Sequence, residues 1–97
     1  MPHTAGFHVD SNQAEIVNAL RDVGCSILYL HANGQGCPDL LVGTPRGDNV
    51  LLEIKSAKGK LDAKQLAWHQ NWRGPVYVVR SVAEAFAAVG IEEVPSV

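Results

Sequence analysis

Nothing in these 97 residues approaches the ~20 consecutive apolar positions needed to cross a bilayer, and the N-terminus lacks the basic and then apolar order of a secretory leader. The expectation is a cytoplasmic protein with no membrane partner. Cysteine is scarce: Cys25 and Cys37 share no CxxC spacing and have no histidine run beside them, which argues against a disulfide framework and a zinc knuckle. Both are expected as free thiols. An excess of positive charge is missing as well, with 8 Lys and Arg against 10 Asp and Glu and a formal charge of −2. That counts against affinity resting on broad neutralisation of phosphates. Internal repeats and low-complexity segments are absent, and no nucleotide cofactor is expected.

What the chain does have is enough apolar material, 46% of its residues, for one compact domain over 1–97 with its core at about 11–90. A domain of this size is stable by only about 5 kcal/mol, so a second copy is an economical way to extend the core. A homodimer is the expected assembly. Positive charge is also concentrated where it exists, because Lys55, Lys58, Lys60 and Lys64 are four of the eight basic residues. Bound divalent cations would offset some of the carboxylates.

Along the chain, Asp10 and Ser11 offer N-caps, and Ile16, Val17 and Leu20 recur at helical spacing until Gly24, which predicts a helix over Ser11–Val23. Ser26–His31 is too short for a helix and reads as a buried strand. Asp39–Gly43 and Val50–Lys55, separated by a turn cluster at 44–49, read as a hairpin. Ser56–Leu61 is a basic loop, and Asp62-Ala63-Lys64-Gln65 has capping-box form at the head of a helix that carries Trp68 and Trp72. Gly74-Pro75 ends it. Val76–Arg80 reads as another buried strand, Ser81-Val82-Ala83-Glu84 as a second capping box starting a helix to about Val89, and the last seven residues as a tail. The order is α-β-β-β-α-β-α, an α/β fold whose last strand is reached through a crossover helix, so the sheet should be mixed.

Charges inside apolar strands need an explanation. Glu53 and Lys55 are two residues apart on one strand and share a face, while Val50, Leu52 and Ile54 bury the other. If Leu41 pairs with Leu51, Asp39 comes opposite Glu53 with the Cβ atoms about 5 Å apart. Two carboxylates so placed repel unless a cation lies between them, and Mg²⁺ or Mn²⁺ is suited to such oxygen donors. That pairing points to metal-assisted hydrolysis, with Lys55 beside the attacking water and Glu15 able to join from the first helix. Taken singly, each residue has a plain reading: Asp39 as a strand start, Glu53 and Lys55 as a solvated strand face, Glu15 as a surface helix residue and Gln65 as the partner of Asp62 in its cap. Trp68 and Trp72, four apart, suggest packing in the core or between copies.

The run Gly36-Cys37-Pro38-Asp39-Leu40-Leu41-Val42-Gly43, followed by Leu52-Glu53-Ile54-Lys55 and then Gln65 and Trp68, resembles the VRR-NUC family of PD-(D/E)XK nucleases. The resemblance spans about Glu15 to Phe86. It implies a restriction-endonuclease-like core and a metal held by Asp39, Glu53 and the Ile54 carbonyl, with Lys55 beside the attacking water. It further implies that Glu15 and Gln65 support the metal shell or the scissile phosphate. Stand-alone relatives resemble Holliday-junction resolvases, which implies a dimeric Mg²⁺-dependent endonuclease acting on branched DNA. Lys58, Lys60, Lys64 and Arg46 are the expected DNA contacts. The competing expectation is a non-catalytic DNA- or partner-binding module on the same scaffold.

Overall fold

The computed structural model describes residues 12–92. Three helices, α1 (Gln13–Asp22), α2 (Ala63–Asn71) and α3 (Val82–Ala88), accompany four strands, β1 (Ser26–Tyr29), β2 (Leu40–Gly43), β3 (Asn49–Ile54) and β4 (Val76–Val79), with one 3₁₀ turn at His31–Asn33. The element order is the one the sequence predicts. Among the described residues no helix is long and apolar enough to cross a membrane.

The strands lie in the order β1-β2-β3-β4, antiparallel except for the parallel pair β3 and β4. The hairpin takes the register argued above, Leu41 opposite Leu51, and its ladder stops at Leu40 opposite Leu52. Period-two alternation then sends Leu40, Val42, Val50, Leu52 and Ile54 to one face, where Ile16, Val17 and Leu20 of α1 and Ala85 and Val89 of α3 close over them. On the other face Leu28, Leu41, Leu51 and Val76 form a row across all four strands. There α2 brings Trp68 and Trp72, stacked at 4.8 Å, over only part of that row.

Several expectations change here. β1 and β4 are not buried strands, because both lie at sheet edges; Leu28, on the α2 face, stays 56% exposed, and Tyr77, which pairs with Leu52 on the opposite face, 46%. The strand expected over Ser26–His31 stops at Tyr29, with His31 passing into the 3₁₀ turn. Asp10 and Ser11, the proposed caps, lie outside the described residues. Asn12 at the head of α1 does not cap it; its side-chain amide donates to the Lys55 and Arg80 carbonyls at 3.1 and 3.2 Å, fastening α1 to the ends of β3 and β4. The box at Asp62 and Gln65 forms in full. At α3 Ser81 accepts from the Glu84 amide, but Glu84 Oε1 reaches back to the Arg80 amide at 2.8 Å, one residue before the cap. The expected tail begins later than residue 91, since Ile91 packs against the core.

Leu52 is fully buried at the centre of the sheet, whereas Leu28 sits on its rim. Leu52→Ala should cost about 2–5 kcal/mol and Leu28→Ala about 1 kcal/mol or less, read as shifts of the urea midpoint at constant slope. Equal losses would mean that something covers the rim in solution.

Candidate active site

The end of the hairpin away from its turn is where the chemistry-bearing residues gather. Asp39 lies one residue before β2, and its carbonyl accepts the Leu30 amide at 2.8 Å, extending the β1 pairing by one step. Its carboxylate Oδ2 accepts the Ile54 amide at 2.6 Å. Asp39 is therefore not a ladder residue facing Glu53, as the strand reading had it. The side chain bonds the backbone beyond the last paired residues, and its position is fixed by main chain on two strands.

Glu53 is 2% exposed on the central strand of the sheet. Its Oε2 accepts from Gln65 Nε2 at 3.2 Å and lies 3.9 Å from the Lys55 ammonium. Gln65 reaches it because the capping box uses the opposite end of the same amide: Gln65 Oε1 accepts the Asp62 amide at 3.0 Å, which turns the NH₂ group toward Glu53. One residue thus ends a helix and supports a buried carboxylate. The capping reading of Gln65 is met, and the same amide also contacts Glu53.

The first turn of α2 is set against the Pro38-Asp39 segment by Gly36, which has φ +82° and lies so close to α2 that a Cβ would meet the Lys64 carbonyl and come within 2.9 Å of the Gln65 amide. Cys37 follows, half-buried; burial pushes its thiol pKa up, as do the Glu53 and Asp39 charges, while a bond to Asn33 works the other way. It is a packing residue. His69, one helical turn beyond Gln65, has its pKa lowered by burial and by the Lys55 charge, so it adds no positive charge beside the lysine at neutral pH.

The helix α1 contributes a different residue from the one expected. Glu15 is exposed, and among the described residues no three His, Cys, Asp or Glu side chains are grouped to hold a metal. The apolar face of α1 carries Gln13 with Ile16, Val17 and Leu20, and Glu15, two positions on from Gln13, projects about 200° away from it. Gln13 is buried and bonds His31, which in turn faces Asp39. Sequence reasoning missed both. The available signal was Gln13 at the start of the i, i+3, i+4, i+7 apolar series, a polar residue on the buried face.

Of the expected cationic contacts, Lys58 and Lys60 are exposed on the loop after β3, and Lys64 is exposed on the first turn of α2. Arg46 is elsewhere, in the turn at the far end of the hairpin, where its guanidinium donates to the Gly90 carbonyl at 3.1 Å. The loop is held by Arg80, whose Nη1 donates to the Ser56 and Gly59 carbonyls at 2.8 and 2.6 Å. This clamp was not legible beforehand.

No family model matches the sequence, and no curated protein matches it. Its fold does have a match: a solved structure described as a VRR_NUC domain aligns with a TM-score of 0.66 and 26% identity, over 84% of this chain and 97% of that one. The fold is that of a VRR-NUC domain. The small mixed sheet with three helices is accordingly a PD-(D/E)XK-like nuclease fold, and in it Asp39, Glu53 and Lys55 occupy the end of the hairpin that the PD and ExK pattern marks.

Gly36→Ala should disturb this end of the VRR-NUC fold more than Gly34→Ala does. Both glycines have positive φ, but at Gly34 nothing lies within 4 Å of an added Cβ. The Gly34 variant should lose about 1–3 kcal/mol from the backbone alone, and Gly36→Ala more, as α2 and Gln65 are displaced from Glu53. Paired urea melts check this; equal losses would show that α2 does not depend on that close approach.

Proposed function

We propose that this VRR-NUC domain is a metal-dependent DNA endonuclease that selects branched DNA. The observation that carries the reading is Glu53, a carboxylate buried on the central strand between the Lys55 ammonium and the Gln65 amide, with Asp39 anchored to the adjacent Ile54 amide. Burying a carboxylate is costly unless it is paired or bound to a cation.

The donor set fits a hard cation. Two carboxylates with water and substrate oxygens are the usual holding of Mg²⁺, so no third acidic or histidine ligand is required. The N–H and C=O of one strand residue point the same way, which puts the Ile54 carbonyl on the Asp39 side of β3. Asp39, Glu53 and that carbonyl would hold Mg²⁺ or Mn²⁺. When bound, the ion supplies Lewis acidity, lowering the pKa of water and offsetting charge on the phosphoryl oxygens.

The remaining work falls to the chain. Lys55, 17% exposed and tethered near Glu53, offers N–H donors to an attacking water or to the charge that develops on phosphorus-bound oxygen. Gln65 keeps Glu53 from rotating away. Lys58, Lys60 and Lys64 supply the local positive potential that the net charge lacks, and Arg80 holds the loop that carries the first two. Glu15 has no part, being turned to solvent.

Cleavage of labelled DNA should need Mg²⁺ or Mn²⁺, stop in EDTA, and vanish in Asp39→Asn and Glu53→Gln. Lys55→Ala should lose most of the rate with DNA affinity kept, whereas Lys58→Ala and Lys60→Ala should weaken binding and flatten its salt dependence by about one unit of slope per lost phosphate contact. Binding without cleavage under every condition would favour the alternative, a DNA- or partner-binding module on a nuclease scaffold.

The working unit we propose is a homodimer. Leu28 and Trp72 are 56% and 48% exposed, and between them an apolar groove of about 300 Å³ is lined by Leu30, Leu41, Leu51 and Trp68. A second copy covering this face would remove apolar surface that a monomer rarely leaves open, and would set two sites in the two-fold relation of a four-way junction. Light scattering at micromolar concentration should give twice the mass of the chain, with paired symmetric nicks on junction DNA; a monomer cutting linear and branched DNA alike would refute this.

A further inference from the structure

Three elements meet at one imidazole. His31, on the 3₁₀ turn, places Nε2 at 3.1 Å from Oε1 of Gln13 on α1 and 3.6 Å from Oδ1 of Asp39. Both neighbours are oxygens, and neither a glutamine carbonyl nor an ionised carboxylate can donate, so Nε2 carries the hydrogen. The surroundings are sheltered: Gln13 is 8% exposed, and the side chains of His31 and Asp39 are each 18% exposed.

The consequence concerns Asp39. Its Oδ2 is held by the Ile54 amide at 2.6 Å, and its Oδ1 lies 3.6 Å from His31 Nε2, a contact longer than a hydrogen bond, so the imidazole bounds the carboxylate on the side away from its anchor. A carboxylate on a single main-chain bond can still pivot about that bond. One anchored on one side and bounded by a fixed ring on the other has less freedom to turn, and a metal-binding carboxylate depends on such outer neighbours for its orientation.

We infer that His31 is a positioning residue for cation binding: its imidazole, held by Gln13, limits the turning of the Asp39 carboxylate. The inference rests on the reading of Asp39 and Glu53 as the cation-holding pair. It gives Gln13 a reason to be polar on an otherwise apolar helix face, and it links α1 to the site in place of Glu15.

The test is Mn²⁺ binding to the full chain, followed by electron paramagnetic resonance without DNA, so that no turnover is needed. His31→Leu should weaken Mn²⁺ binding about 10- to 100-fold, and His31→Gln, whose amide still offers an N–H, should recover a large part of it. Gln13→Met, which keeps the volume and removes the acceptor, should weaken binding in the same direction and less than additively with His31→Leu. Circular dichroism reports whether each variant folds; if His31→Leu does not, the Gln13→Met result decides. Wild-type affinity in His31→Leu or, failing that, in Gln13→Met overturns the inference while leaving the cation reading intact. No Mn²⁺ binding by the unaltered chain overturns that reading itself, and the inference with it.

Discussion

Glu53 cannot be buried on a central strand without a compensating environment, and much of the surrounding structure can be understood as that environment. Desolvating a carboxylate without partners costs several kcal/mol, a large fraction of the stability of a domain this small. The fold answers with polarity from two directions, the Lys55 ammonium on the same face of the strand and the Gln65 amide from α2, while Asp39, fastened to the very next peptide group, adds a second negative charge nearby. Each of these has its own support. Gln65 is aimed by the cap at Asp62, α2 is seated by Gly36, and Asp39 is bounded by Ile54 and His31.

Order, register and the α2 cap were legible from sequence because each depends on local or period-two information. Apolar alternation in Val50, Leu52 and Ile54 fixes which face is buried and excludes a slip by one residue, and the register considered on that basis, Leu41 on Leu51, is the one that forms. What was not legible involves the depth and direction of single side chains. An apolar run such as Ile27-Leu28-Tyr29 is the same string whether the strand is central or at an edge, and only sheet order decides. Glu15 and Gln13 both looked like ordinary polar residues of an N-terminal helical turn; the series Ile16, Val17 and Leu20 places Gln13 on the buried face, but what it meets there, His31 and through it Asp39, depends on contacts made outside the helix.

Asp39 shows a subtler gap between reading and structure. Its residue type and its place after Pro38 were informative, yet the inference that it pairs across the ladder with Glu53 assumed that strand geometry persists to the end of the hairpin. The ladder stops at Leu40. A short acidic side chain at a strand end readily takes a backbone amide that has run out of cross-strand carbonyls. That substitution keeps the two carboxylates in one neighbourhood while giving one of them a rigid main-chain anchor.

The distribution of positive charge follows the same logic of local arrangement over bulk composition. With a formal charge of −2 the surface as a whole does not attract polyanions, so the proposed nuclease reading assigns the pull to Lys55, Lys58, Lys60 and Lys64, whose spacing along the chain would be of little use if the intervening loop wandered. Arg80 spends its guanidinium on two loop carbonyls, a use that forgoes a phosphate contact but holds the segment between β3 and α2 in place. Its own backbone is held in turn, the amide by Glu84 and the carbonyl by Asn12, the residue that also ties α1 to the Lys55 carbonyl. The lysines on that loop are therefore referred to the same frame of strand ends as the carboxylates. In a chain with so few cations, a fixed relation between the positive loop and the acidic pair does what a larger basic surface would otherwise have to do.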